Sequence, residues 1–334
     1  MLFTCSLSSQ RLGKGSFGYA VLVERGQSKD QFVSKMIKYR HMSSSEKEHV
    51  LREVQTMKHI SNGGGHPYLV RFRESFVLAS GPLCIIMDFC DGGDLAQVIK
   101  SASRKRTPFA ESQIHLWLLQ LLSATDFLHS IKVLHRDIKP ANVFMHAGVC
   151  KLGDLGLSKQ VMQAATQAGK YTQCGSPLYL APEVHMGEKY GKQVDIWALG
   201  CVLYELMMLD HAFQGHDNAK ILNNIVWARH AKIDNCWSAP LITNLKWMLS
   251  LKPKDRPDAI DIMNDPAFSQ ALHSGTLHPQ ALRHRSEVKV DLNMECSAER
   301  VESPTDVTDD LMMIDADNTK KGKGALDGEN VTWG

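Results

Sequence analysis

Apolar and polar positions follow two different periods along this chain, and the period changes where the structure should change. Residues 19–24 and 31–37 are short runs rich in side chains that suit a pleated surface, and both read as strands. Residues 70–72 and 83–87 read the same way, separated by a turn at Ser80-Gly81-Pro82. Between the two pairs the period becomes helical. Over residues 43–60, Val50, Val54 and Met57 recur at i, i+4 and i+7, and Ser43 with Glu46 forms a capping-box pattern at the start. The break Asn62-Gly63-Gly64-Gly65-His66-Pro67 ends that helix. A longer apolar stripe, Ile114, Leu118, Leu121, Leu122, Thr125 and Leu128, predicts a core helix over 111–131. Residues 143–145 and 149–152 predict a short hairpin, and a further buried helix begins at Asp195 and runs to Leu209.

The pattern fails in two places. Residues 157–180 turn polar and small, rich in Gln, Ala, Thr and Gly, as a loop does. Beyond Phe268 the periodicity fades, and over 287–317 acids outnumber bases, with Glu299, Glu302, Asp306, Asp309 and Asp310 close together. Such a composition buries too little surface to offset its ordering entropy, so residues 270–334 are expected to be a disordered acidic tail.

Size and charge narrow the classes. At 334 residues the chain is long for one small domain and suits a two-lobed domain plus an extension. A net charge of +2 gives no global case for nucleic acid or anionic membranes. No apolar run approaches the roughly 20 residues that span a bilayer, and no secretory signal is expected at the start. The eight cysteines are scattered without a Cys-x-x-Cys pair, which reads as reduced thiols in a cytosolic protein.

The densest chemistry lies in His135-Arg136-Asp137-Ile138-Lys139-Pro140-Ala141-Asn142. Asp137 offers a carboxylate able to orient a hydroxyl and take its proton. Lys139 places a positive charge beside it, Asn142 supplies a neutral oxygen for a divalent metal, and Pro140 stiffens the turn. A second motif, Gly13-Lys14-Gly15-Ser16-Phe17-Gly18, is a G-x-G-x-x-G. In dinucleotide-binding folds this pattern opens a helix; here a strand follows, which argues against a dinucleotide-dependent oxidoreductase and for a glycine hairpin closing over phosphates. Lys35 lies on the next strand, Glu53 lies beside the apolar stripe of the following helix, and Asp154-Leu155-Gly156 follows the short hairpin.

In this order the motifs resemble the eukaryotic protein kinases. The resemblance implies an α+β fold with a small β-rich lobe carrying one key helix (about 10–87), a hinge (88–94) and a larger, mainly helical lobe (95–269). It implies Asp137 as the catalytic base and Lys139 as neutraliser of developing charge, with Lys35 paired to Glu53 to position phosphates. Asn142 and Asp154 would hold Mg²⁺. ATP would meet Leu12, Gly13, Lys14, Gly15, Ser16, Phe17, Gly18, Ala20 and Lys35, with Met87 as gatekeeper, the backbone of Asp88 and Cys90 on adenine, and Asp94 on ribose. Leu155 stands where Phe is commoner and is expected to pack beside Met57. Asp195 would brace the catalytic loop, and Arg256 would pair with Glu183.

Lys139 after Asp137, and Gly175-Ser176-Pro177 before Ala181-Pro182-Glu183, resemble serine/threonine rather than tyrosine kinases. Met42-Ser43-Ser44, Arg73-Glu74-Ser75-Phe76, and the stretches 87–95 and 175–183 are similar to the NIMA-related kinases. That likeness implies protein substrates, a cytoplasmic location extending to nucleus, centrosome, cytoskeleton or cilium, and a role in cell cycle or microtubules. Thr172 is the expected regulatory phosphosite, modified by an upstream kinase or by the protein itself, with Arg136 as the phosphate's partner. The rival reading is a pseudokinase scaffold. It requires loss of Lys35, Asp137, Asn142 or Asp154, and all four are present.

Overall fold

In the computed structural model, the described residues are 5–15, 18–78, 80–155 and 177–266. Ser16, Phe17, Gly156, Thr172, Gly175, Ser176 and the tail therefore lie outside them.

Strands β1 (Cys5–Gly15), β2 (Gly18–Arg25), β3 (Asp30–Ile37), β4 (Phe72–Val77) and β5 (Leu83–Asp88) form one antiparallel sheet in the order β1-β2-β3-β5-β4. The register sets Ala20 opposite Lys35 and Lys35 opposite Ile85, with Val33 opposite Met87, so one face collects all of them. Gly18 is required where β2 meets β3. A Cβ there would sit 1.7 Å from the Met36 carbonyl oxygen, which no side chain tolerates.

Helix α1 (Ser44–Asn62) covers that face. Ser43 caps it, with the Ser43–Glu46 box formed in both directions. Val50, Val54 and Met57 pack against Ile37, Phe72, Leu83, Ile85 and Met87, and each such burial is worth about 1.5–3 kcal/mol. At its end the chain turns through Gly64 and Gly65, both at positive φ (97° and 69°), a conformation open to glycine at little cost.

The fourth strand begins later than the pattern over 70–72 suggests. Val70 N–H donates to the Leu152 carbonyl at 2.9 Å, and Leu69 bridges Leu152 in parallel. The backbone at 69–70 is thus spent on the second sheet, the hairpin of β6 (Val143–His146) and β7 (Val149–Leu152). This stitch ties the two lobes together.

The larger lobe is built on α3 (Glu111–Ser130) and α5 (Gln193–Met208). Nearly every residue of α5 is buried, with Trp197, Leu199, Val202, Leu203 and Leu206 at 0–1% exposure. An apolar, all-round pattern of this kind marks a central helix. Around it lie α2 (Leu95–Lys105), α4 (Pro182–His185), α6 (Asn218–Val226), α7 (Ala239–Met248) and α8 (Ala259–Met263). With a small sheet carrying one helix and a large helical lobe, the expected α+β bilobal architecture is present. Among the described residues no helix is long and apolar enough to cross a membrane.

Candidate active site

The loop 135–142 leaves α3 with its backbone held from below. Asp195, 1% exposed at the start of α5, accepts from His135 N–H (3.0 Å) and Arg136 N–H (2.7 Å), and its Oδ2 also meets His129 Nε2 at 2.8 Å. His135 is fully buried, with Nε2 2.9 Å from the Gly153 carbonyl. Among the expected site motifs, Arg136 (φ 63°) and Asp154 (φ 55°) adopt left-handed backbone despite carrying side chains. Such conformations cost on the order of 1–3 kcal/mol each and persist where surrounding contacts fix them. Here the contacts are those of Asp195, His135 and Lys35.

The loop brings three expected groups together. Asn142 Nδ2 donates to the Asp137 carbonyl (2.8 Å) and to Asp137 Oδ2 (2.7 Å). Lys139 Nζ lies 3.3 Å from the same Oδ2. The carboxylate is thus clamped through one oxygen, and Oδ1 is the one left to accept from a substrate hydroxyl. With both amide hydrogens directed at Asp137, Asn142 Oδ1 is the oxygen it retains for a cation.

Across the cleft, Lys35 on β3 donates to Asp154 Oδ1 at 2.9 Å. Burial opposes ionisation of Asp154, but the Lys35 charge and hydrogen bond prevail, helped by His135 and Lys139, and hold the carboxyl below its usual range. The Lys139 influence also places the two halves of the site within electrostatic reach of each other. Asp154 keeps 31% of its side chain exposed.

One expected contact is not formed. Glu53 does not pair with Lys35, whose ammonium is given to Asp154 instead. The Glu53 side chain does turn inward from α1, yet its Oε2 is buried with no hydrogen-bond partner. Burial pushes its carboxyl up to about 8, with the charges of Lys35 and Arg136 offsetting only part of that cost. The physical reason is competition: an ionised, partly solvated Asp154 is a cheaper partner for Lys35 than a carboxylate that must first be stripped of water.

The described residues expected to meet ATP lie on β1, β2, β3 and β5 and on the segment that leads into α2. Gly13 lies in β1 with open space around it, and Gly15 pairs with Gly18 across the hairpin turn. Leu12 is exposed and Ala20 half-buried beside Lys35. Met87 is buried between β3 and β4, and Cys90 is 9% exposed, its thiol pushed up to about 11 by burial. Asp94 caps α2: its carboxylate accepts from Gln97 N–H at 2.8 Å and Gln97 Nε2 at 2.7 Å. Contact with ribose would have to share that carboxylate with the cap. Leu155 packs against the cluster containing Met57 and also against the large core.

Arg256 is bidentate to Glu183 at 2.7 and 2.8 Å, both fully buried, and also reaches the Gln193, Ser250 and Leu251 carbonyls. The pair fixes the segment after Pro177 onto α5. Sequence reasoning missed the Asn142–Asp137 clamp and the part of His129, which sits in the last turn of an apolar helix and carries no motif signal.

The sequence profile described as protein kinase domain matches residues 7–268. The chain belongs to the protein kinase family. It is 36% identical to mouse serine/threonine-protein kinase Nek1 over 82% of its own length and 22% of that relative. To mouse Nek4 it is 33% identical, over 76% of this chain and 31% of the relative. To mouse Nek11 it is 35% identical, over 79% and 41%. This kinase chain therefore spans about a fifth to two fifths of these curated relatives, and the region of likeness is the one that carries the site.

Mg²⁺ fits the donors of this kinase site. Asp154 and Asn142 Oδ1 are hard oxygen ligands, few in number, as an ion that keeps waters and shares ligands with phosphates requires.

Proposed function

We propose that the chain is an ATP- and Mg²⁺-dependent protein serine/threonine kinase of the NIMA-related type, with residues 10–269 as its catalytic domain. The observation that carries the reading is the clamp on Asp137: Asn142 and Lys139 both hold Oδ2, while Asp154 and Lys35 face them. A substrate hydroxyl would donate to Asp137 Oδ1. Its oxygen bonds to the γ-phosphorus as the bond from that phosphorus to the β–γ bridging oxygen breaks, and the proton passes to Oδ1. Lys139, 3.3 Å from Asp137, neutralises charge on the transferring group, and Lys35 holds the phosphates once freed from Asp154. Bound at Asp154 and Asn142, Mg²⁺ supplies charge neutralisation to the phosphate oxygens.

The preference for Ser or Thr, self-modification at Thr172 or its modification by an upstream kinase, and a place at centrosome, cilium or cytoskeleton rest on family likeness.

Phosphate transfer from ATP to casein and to the protein itself tests the reading. Asp137→Ala should lower kcat by about 10²–10⁴, the range for losing a positioned base, while leaving the folded content unchanged by circular dichroism. Equal transfer by wild type and Asp137→Ala would refute it. Absence of transfer in wild type phosphorylated at Thr172 would turn the assignment to a nucleotide-binding scaffold.

A further inference from the structure

The net charge of +2 conceals a segregation. Residues 1–286 carry 33 basic and 24 acidic residues, whereas 287–317 carry two basic and ten acidic. From Glu302 to Asp317 there are six carboxylates and no cation.

The matching surface lies at the C-terminal end of α2. Lys100, Arg104, Lys105 and Arg106 fall within seven residues, all exposed. No acid occurs between Asp94 and Glu111. Some surface cations elsewhere pair with carboxylates, as Arg52 does with Glu48 and Lys192 with Asp258; what sets this stretch apart is four cations within seven residues and no acid among them. None of the four forms an ion pair among the described residues. The inner face of α2 is taken up by Leu95, Ile99 and Ala102, so the helix is already seated and offers these cations outward. Arg106, at φ 53°, turns the chain away and extends the basic surface past the helix end.

We propose that this basic surface is the docking site for the chain's own acidic segment 302–317. Length permits it. The 36 residues from Pro266 to Glu302 can span up to about 120 Å when extended, several times the radius of a domain of this size, roughly 18 Å. Tethering makes the encounter intramolecular, so pairs too weak to join separate molecules act together. The contact is electrostatic and therefore weakens with salt over the Debye length. Docked there, the segment covers the surface against acidic partners.

Zero-length carboxylate-to-amine cross-linking of the full chain, followed by peptide mass spectrometry, tests the proposal. At low ionic strength, Lys100 and Lys105 should join Glu302, Asp306, Asp309 or Asp310 in yields independent of protein concentration, falling several-fold once the Debye length is cut to roughly 3 Å by about 1 M salt. Arg104→Glu with Arg106→Glu should lower those yields several-fold. Adding Asp309→Lys and Asp310→Lys to the same chain should restore contact, read as the introduced amines joined to the introduced carboxylates. Cross-links spread evenly over Lys29, Lys47, Lys189 and Lys246 would overturn the assignment. So would cross-links found only between differently labelled copies, which would give the surface to a second chain. Displacement of the segment by an equimolar mixed-sequence oligonucleotide at physiological salt would give it to nucleic acid.

Discussion

Exchanging Glu53 for Gln should stabilise the chain near pH 8 and impair catalysis. The side chain is buried without a partner for Oε2, and its carboxyl is pushed from its ordinary 4.5 to about 8 by desolvation. A group whose folded pKa is raised binds its proton more tightly in the folded state. It therefore adds no penalty below about pH 4.5, and stability is lost progressively as pH rises toward 8. Between pH 5 and pH 8 this loss amounts to about 3–4 kcal/mol, using roughly 1.36 kcal/mol per tenfold change in proton affinity. That figure is a ceiling, because Lys35 can swing from Asp154 to meet the ionised carboxylate. For a domain of this size about 1 kcal/mol moves Tm by about 2–4 °C. The advantage of Glu53→Gln over wild type should thus widen by up to about 7–14 °C between pH 5 and pH 8, read by thermal melts across that range. The resting structure holds no Glu53–Lys35 contact; where Lys35 leaves Asp154 for the phosphates and swings to the ionised Glu53, Gln forfeits a charge-assisted contact of about 1.5–3 kcal/mol, and kcat/KM should fall by about 10–100-fold at pH 8. Melting curves of the two proteins that stay parallel at every pH would refute the reasoning and place Glu53 in a standing ion pair with Lys35.

Two further outcomes follow from buried contacts. Asp195→Ala leaves the His135 and Arg136 N–H groups unpaired and should cost about 2–6 kcal/mol in urea denaturation, with phosphate transfer lost in whatever remains folded; Asp195→Asn, which keeps one acceptor, should fall between. Arg256→Ala strands the Glu183 carboxylate in the core and should cost about 3–5 kcal/mol, whereas Glu183→Leu with Arg256→Met should restore most of the stability. A double variant no more stable than Arg256→Ala would show that the carbonyl contacts of Arg256, not the ion pair, hold this corner.

Much of the fold is legible in the sequence because its signals are local. The Ser43–Glu46 box needs only the first turn of α1, and the stripe at 50, 54 and 57 needs only helical spacing. The pattern over 70–72 misplaces its strand because Leu69 and Val70 spend their backbone on Leu152, far away in sequence. Of the site, the motifs carry the residue types in the loop, and the fold brings Asp137, Lys139 and Asn142 together as their spacing implies.

By itself the sequence determined which charges exist and which short elements carry them: a lysine on β3, a carboxylate turned inward from α1, an aspartate after β7. Only the tertiary structure decided who pairs with whom. Lys35 goes to Asp154, 119 residues away, rather than to Glu53, and Asp94 spends its carboxylate on the cap of α2. The physical reason is that pairing is a competition among distances and desolvation costs. Those are set by how α1 and the hairpin settle against the sheet, and no local period or motif encodes them.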